Sequence, residues 1–271
     1  MSDEKLHWTS ASRTHVGHVR KLNEDACLEL PEHGLWVVAD GMGGHAAGDV
    51  ASRMIVDSLH RGSVAKSLDT LSSQVERALQ KVNRKLTQEA SRRGQQIIGS
   101  TVVVLLIHGR RCICLWAGDS RIFLLRDSRL RQLTTDHSQI EELIAQGRIA
   151  REQAESIPGS NAITRAVGVM KELVLDSVSH DVCEGDRFLI CSDGLYNEVK
   201  SADIAQLLAL QDCRESADRL IEMALQGKAR DNITAIVVSV EDDQATKTLF
   251  NPSAVRMSNV DEDDDKTTVN R

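Results

Sequence analysis

The sequence predicts an α+β protein in which antiparallel β-sheets are covered by helices. Two observations carry that prediction. Apolar strand-like runs come first, then a helix pair, more strands, two further helices and a last strand, an order without the regular alternation of βαβ units. In addition, strand-like runs repeatedly meet an acidic residue at one end, mostly beside glycine. Leu35–Ala39 leads into Asp40-Gly41, Cys112–Ala117 into Gly118-Asp119, and Phe188–Ser192 into Asp193-Gly194. In the opposite sense Asn23-Glu24-Asp25 opens the run from Ala26, and Asp231-Asn232 opens Ile233–Val240. In an antiparallel sheet the exit ends of some strands lie beside the entry ends of their neighbours, so these five acidic clusters are expected to meet at one edge.

Taken in chain order, residues 7–40 read as strands separated by turns. Ala46–Arg61 carries Val50, Ala51, Met54, Ile55 and Leu59 at amphipathic-helix spacing, and Leu68–Arg93 repeats the pattern with Leu71, Val75, Leu79, Val82 and Leu86 before a stop at Gly94. Strands return at Thr101–Ile107, Cys112–Ala117, Ile122–Arg126 and Leu130–Leu133, with Gly109-Arg110 and Asp127-Ser128 where tight hairpin turns belong. The segment 136–167 contains a helical piece around Ile140, Leu143 and Ile144, two glycines and Pro158, and reads as a flap-like insertion against the sheet edge. Leu173–Ser179 and Arg187–Ser192 are expected strands, Ser201–Leu210 and Ser216–Leu225 helices, and Ile233–Val240 a closing strand. The expected division is a folded body at 1–240 and an acidic, disordered tail at 241–271 that contains the solvated run Asp261-Glu262-Asp263-Asp264-Asp265.

Composition narrows the function classes. With 271 residues the chain can bury a substantial core, and 3% aromatics make that core mainly aliphatic. A net charge of −7 argues against a nucleic-acid-binding surface. Eight acidic and four basic side chains from Glu241 onward account for −4 of it, leaving −3 on residues 1–240. No apolar run is long enough for a membrane span, and the N-terminus lacks the basic-then-apolar order of a signal peptide. The six cysteines, Cys27, Cys112, Cys114, Cys183, Cys191 and Cys213, form no CxxC pair and read as reduced thiols, so a cytoplasmic setting is expected.

Alone, one Asp-Gly after a strand is an ordinary turn. Five acidic sites in register with strand ends are not: two carboxylates ~4 Å apart repel by about 4 kcal/mol at a surface-like dielectric, and hard divalent cations, which take oxygen ligands, relieve that repulsion. The ordered set Arg20, Asn23-Glu24-Asp25, Asp40-Gly41-Met42-Gly43-Gly44-His45, Gly99-Ser100-Thr101, Gly118-Asp119-Ser120-Arg121, Ile163–Gly168, Ser192-Asp193-Gly194-Leu195 and Asp231-Asn232 resembles the bacterial metal-dependent serine/threonine protein phosphatases of the type 2C class. The resemblance spans about residues 7–240. It implies a sandwich of two packed antiparallel sheets, flanked by helices on both sides, with metals at one edge. It implies Mn²⁺ or Mg²⁺ cofactors, two of them plus a weaker third. Asp40 would bridge the pair, Gly41 offer its carbonyl, Asp193 and Asp231 complete the coordination and Glu24 act through water, while Asp119 and Asp193 hold the third ion. Asp25 and Asn232 resemble residues that orient metal-bound water, and Arg20 the arginine that grips the substrate phosphate, where a planar guanidinium allows a bidentate contact.

The activity so implied is hydrolysis of phosphoserine and phosphothreonine in proteins by a hydroxide shared between two ions, with a cognate Ser/Thr kinase as partner and neither nucleic acid nor membrane. In eukaryotic relatives a histidine, proposed as general acid, follows the Asp-Gly pair; here that place is Met42, which cannot donate a proton, and His45 is not assigned the role. Arg121 is expected to pair with nearby Asp119, and the scattered histidines, His137 among them, to serve packing or the surface. Two rivals remain: a pseudophosphatase that binds phosphoproteins without cleaving them, which should have lost carboxylates, and a phosphohydrolase of nucleic acid or small phosphates, against which the acidic balance speaks.

Overall fold

Strands whose both faces are apolar need cover on both sides, and this fold supplies it. The computed structural model describes residues 6–43, 47–61, 67–94, 97–154 and 162–242. Strands β1 (Leu6–His15), β2 (Asp25–Leu30) and β3 (Leu35–Gly43) are followed by helices α1 (Ala47–His60) and α2 (Leu68–Arg93). Next come β4 (Ile98–Ser100), β5 (Val102–His108), β6 (Arg111–Ala117), β7 (Arg121–Arg126) and β8 (Arg129–Gln132), then α3 (Gln139–Ala145) and α4 (Arg151–Ala154). The chain continues with β9 (Asp176–Asp181), β10 (Arg187–Cys191), α5 (Asp193–Tyr196), α6 (Ser201–Leu208), α7 (Cys213–Gln226) and β11 (Ile233–Asp242).

Two antiparallel sheets result. One runs β1-β11-β10-β7-β8 and the other β2-β3-β5-β6-β9, with β4 paired to β3 beyond that path. Successive side chains of a strand point to opposite faces, and here each face meets a different core layer. Trp36 and Val38 of β3, Val103 and Leu105 of β5, Phe188 and Ile190 of β10, and Ile236 and Val238 of β11 fill the layer between the sheets. Leu35, Val37, Val104 and Leu106 turn outward onto α1 and α2, meeting Ile55, Leu79 and Leu86. Leu189, Cys191, Ala235 and Val237 turn the other way onto Leu208, Leu220 and Ala224. The expected α+β sandwich with helices on both sides is the observed one.

Ser67 caps α2 by accepting from the Thr70 amide, and Gly94 closes it, so the helix has its expected bounds. Asp127 and Ser128 both take positive φ, 50° and 61°, the conformation of the tight turn expected between β7 and β8. The strand expected at Leu173–Ser179 is displaced to Asp176–Asp181, where alternating burial fits an edge position beside β6; Leu173 and Leu175 instead pack into the α1–α2 core layer from the preceding loop. Both flanks of the 136–167 segment are tied down, by bridges pairing Ser138 with Ile163 and Ser100 with Val167. His45, Pro158 and the acidic run 261–265 lie outside the described residues.

Candidate functional site

The strand register brings the acidic positions to one edge. Asp25, first residue of β2, stands directly opposite Asp40 on β3. β6 and β10 end at the same edge and deliver Asp119 and Asp193, while Asp231 stands two residues before β11 there. Their proximity is electrostatic as well as topological. The Asp40 carboxyl is held well above the usual carboxylate range by burial first, then by the charges of Asp25, Asp193, Asp119 and Asp231. Burial, with Asp193 and Asp231 adding to it, pushes Asp25 up to about 6 despite two hydroxyl donors. Asp119 rises to about 7 through burial and the Asp193 charge, and Asp193 to about 6 through burial and Asp231.

Each carboxylate is positioned by neighbours the motifs supply. Asp40 donates its amide to Thr101 Oγ1 at 3.0 Å, while its carbonyl accepts from the Thr101 amide at 2.8 Å and from Ser100 Oγ at 2.9 Å. That explains the Gly-Ser-Thr motif: it clamps the backbone of Asp40. Gly41 donates to the Glu24 carbonyl, and a Cβ at Gly41 would lie 2.1 Å from the Gly48 carbonyl oxygen, so only glycine lets β3 pass the start of α1 here. Glu24 in turn accepts from the Gly48 amide at 3.2 Å through Oε1. Asn232 sends both amide hydrogens to backbone, to the carbonyls of Val16 at 2.9 Å and Leu22 at 3.0 Å, and accepts from the Glu24 amide at 2.8 Å. It therefore braces the loop carrying Arg20 and Glu24, with one lone pair of Oδ1 left for a water. Arg20 donates to Asp231 Oδ2 at 2.7 Å, and both side chains are open to solvent, so the guanidinium stands at the mouth of the site. Asp231 raises the Arg20 pKa above its ordinary value.

Several contributors were invisible in the sequence. Asp25 Oδ2 accepts from Ser192 Oγ and from Thr234 Oγ1, each at 2.7 Å, across the gap between the two sheets. His137 stacks on Trp116, takes the Gly118 amide on Nδ1 at 3.1 Å and meets Asp176 through Nε2 at 3.1 Å, with Arg165 bonded to the same carboxylate. It thereby fixes the turn carrying Asp119 rather than merely filling space. Arg121 does not pair with Asp119: it grips Asp136 at 2.7 Å, with its guanidinium 3.6 Å above the Tyr196 ring, whose hydroxyl donates to the Asp119 carbonyl. A signal for the Arg121 pair existed in Asp136 fifteen residues on, but only the β7–β8 hairpin brings the two together.

The donor set fits divalent metal. Asp25 Oδ1, Asp119 Oδ1 and Asp193 Oδ1 are buried oxygens with no hydrogen-bond donor, an expensive state that an oxygen-seeking cation relieves. Among the described residues no three histidine, cysteine or carboxylate side chains close around a common point, so any ion would also draw on backbone and water oxygens, a habit of Mg²⁺. A separate cavity of 760 Å³ between α1 and α2, lined by Arg53, Lys81, Arg84 and Lys85, contains none of these aspartates.

Comparison with known proteins agrees. The family model described as Protein phosphatase 2C matches residues 14–237. Over 233 residues the chain is 36% identical to the serine/threonine protein phosphatase PstP of Mycobacterium tuberculosis, covering 86% of this chain but only 45% of that protein's length. The structure of PppA, a key regulatory component of T6SS in Pseudomonas aeruginosa, superimposes with a TM-score of 0.81 at 44% identity, over 86% of this chain and 98% of that one. The catalytic domain of PstP in complex with two manganese ions matches with a TM-score of 0.78 at 34% identity, over 88% and 100%.

Proposed function

The chain belongs to the protein phosphatase 2C family, and on that premise we propose that it hydrolyses phosphoserine and phosphothreonine in proteins, using two Mn²⁺ or Mg²⁺ ions and a weaker third. The observation that carries the reading is the convergence of Asp25, Asp40, Asp119, Asp193 and Asp231 at one sheet edge, with three buried oxygens left without donors. Asp40, Asp193, Asp231 and the Gly41 carbonyl would hold the pair, Glu24 assisting through water, and Asp119 with Asp193 the third. When bound, such ions supply hydroxide near neutral pH and positive charge for the phosphoryl oxygens.

The remaining steps belong to the chain's own side chains. Arg20, at the mouth, exchanges its contact with Asp231 for the incoming phosphate, which its planar fork matches in two parallel hydrogen bonds. Asp25, with one oxygen tied to Ser192 and Thr234, has Oδ1 free to orient water and accept its proton, and its raised pKa suits that task. Asn232 is a positioning residue that fixes Glu24 and the Arg20 loop. Met42 has no acidic proton to give, so protonation of the leaving serine or threonine oxygen falls to water or to another side chain. The six cysteines are all free, which supports a reducing, cytoplasmic setting, and no helix among the described residues is long and apolar enough to cross a membrane. The chemistry implies a kinase that installs the phosphate.

The deciding experiment is hydrolysis of a phosphothreonine peptide with Mn²⁺, before and after complete chelation. The expected result is turnover that disappears with the metal and returns when it is restored; turnover that survives chelation would end the reading.

A further inference from the structure

Beside Asp193 and Asp231 lies a cavity of 770 Å³ whose lining includes Lys228 and Arg230, and nothing in the mechanism above uses them. They flank an unusual residue. Ala229 has φ +41°, a left-handed conformation costly to any residue with a Cβ, and its side chain is fully buried. With Ala229 turned inward, Lys228 and Arg230 are both exposed on the outer side of the loop.

The surroundings hold the loop in that shape. The His18 amide donates to the Ala229 carbonyl at 2.8 Å, and the Lys228 amide donates to Glu198 Oε2 at 2.9 Å. Gly17, at φ +79°, packs so closely that a Cβ there would lie 2.2 Å from the Asp231 carbonyl oxygen and 2.7 Å from that of Ala229. Strain kept in place from three sides, next to a reaction centre, points to a function for the groups it presents. Those groups are two cations opening on the same cavity as two of the carboxylates.

We propose that Lys228 and Arg230 form a specificity subsite that selects phosphopeptides carrying acidic side chains near the phosphorylated serine or threonine. The inference rests on the phosphatase reading and sharpens its substrate class. Lys228 stands three positions before Asp231, a span of at most about 11 Å in extended chain, so the favoured acid lies about two or three residues from the phosphoresidue. Of the acids in the lining, Glu198 accepts from the loop backbone at Lys228 and Asp231 from Arg20.

The test uses the full chain with Mn²⁺ and three substrate types: p-nitrophenyl phosphate, a phosphothreonine peptide with neutral flanks, and the same peptide with aspartates two and three residues to either side. The acidic peptide should be hydrolysed with a kcat/KM about threefold to tenfold above the neutral one, the range expected of two partly exposed ion pairs. The preference should collapse at about 0.5 M salt, where the screening length shrinks to a few ångströms. The double variant Lys228→Gln/Arg230→Gln should erase the preference while leaving p-nitrophenyl phosphate turnover unchanged. Equal rates on both peptides in the wild type would overturn the proposal. So would a variant that slows all three substrates by one factor, because the cations would then merely offset the neighbouring carboxylates. A wild type inactive even on p-nitrophenyl phosphate would overturn the phosphatase reading itself, a result distinguishable from the other two.

Discussion

Asp186 and Asp25 are both buried, near opposite ends of β10, and their surroundings differ in one respect that separates structure from function. Asp186 is fully enclosed and fully partnered: Arg126 donates to both of its oxygens at 2.6 Å, and the Cys183 amide adds a third bond at 2.8 Å. Asp25, at the other end, shares its edge with Asp40, Asp119 and Asp193, and three buried oxygens of this group have no donor. The fold thus neutralises a buried carboxylate where only stability is at stake. At the site edge it leaves the charge uncompensated, which makes sense only if a cation arrives from outside. Two like residues, one partnered from within and one left open, are a more specific sign of a metal centre than a count of aspartates.

The sharpest way to break the comparison is to remove charge from each end in turn. Asp193→Asn should lower kcat/KM by about 10²–10³, while the melting temperature of the metal-free protein stays level or rises because a repelling charge has gone. Arg126→Met does the reverse. It strands Asp186 without its cation at a cost of about 2–3 kcal/mol, below the usual 3–5 for a buried pair because the guanidinium is 35% exposed and partly screened. That corresponds to a fall of about 5–10 °C in melting temperature, with activity per folded molecule unchanged. Steady-state kinetics and thermal denaturation on both variants check the pair of statements. A metal-free Asp193→Asn protein that melted far below wild type would erase the distinction.

Acidity offers a smaller, reversible probe of the same edge. The folded-state carboxyls of Asp25 and Asp193 sit near 6 and that of Asp119 near 7, all above the value of about 3.9 expected in the unfolded chain. Between pH 4 and 7 the native state therefore binds more protons than the unfolded one, so metal-free stability is greatest at the acidic side of that window and falls as pH rises through the folded pKa values. Each unit of such a shift is worth about 1.4 kcal/mol, or roughly 3–5 °C. Saturating Mn²⁺ should abolish the decline, because the ions replace the protons. Melting curves at pH 5 and 7.5, with and without metal, test this; a metal-free protein more stable at pH 7.5 than at pH 5 would contradict it.

Much of this edge could be read from sequence because strand ends and glycine turns are local features. Continuous apolar runs over β3, β5, β10 and β11 announced the buried strands, and the three-to-four spacing of α2 announced its helix. What stayed hidden depends on tertiary proximity. Ser192 and Thr234 reach Asp25 from the other sheet, 167 and 209 residues away in sequence. His137 gains its bracing task only when the loop after β8 folds back on Trp116. Arg121 turned to Asp136 because the β7–β8 hairpin brings that carboxylate within bidentate reach of the guanidinium. β9 slipped from its expected place because its alternating residues are mostly polar, whereas the apolar stretch just before it is spent on loop packing.

The smallest expected effect concerns the second arginine–aspartate pair. Arg20 and Asp231 approach to 2.7 Å, nearly the 2.6 Å of Arg126 and Asp186, yet their side chains are 50% and 36% exposed whereas Asp186 has no exposure at all. Water replaces what an exposed partner loses, so Arg20→Ala should change stability by no more than about 0.5 kcal/mol. Its cost should fall on substrate instead. Losing a charge-assisted contact to phosphate at a half-exposed position corresponds to roughly a tenfold rise in KM with a smaller change in kcat. Lysine at the same position should recover only part of that loss, because a point charge cannot make the paired, planar contact. If Arg20→Ala instead lowered the melting temperature as far as Arg126→Met while leaving KM untouched, the two ends of the sandwich would be alike, and the site edge would lose its claim to stored, uncompensated charge.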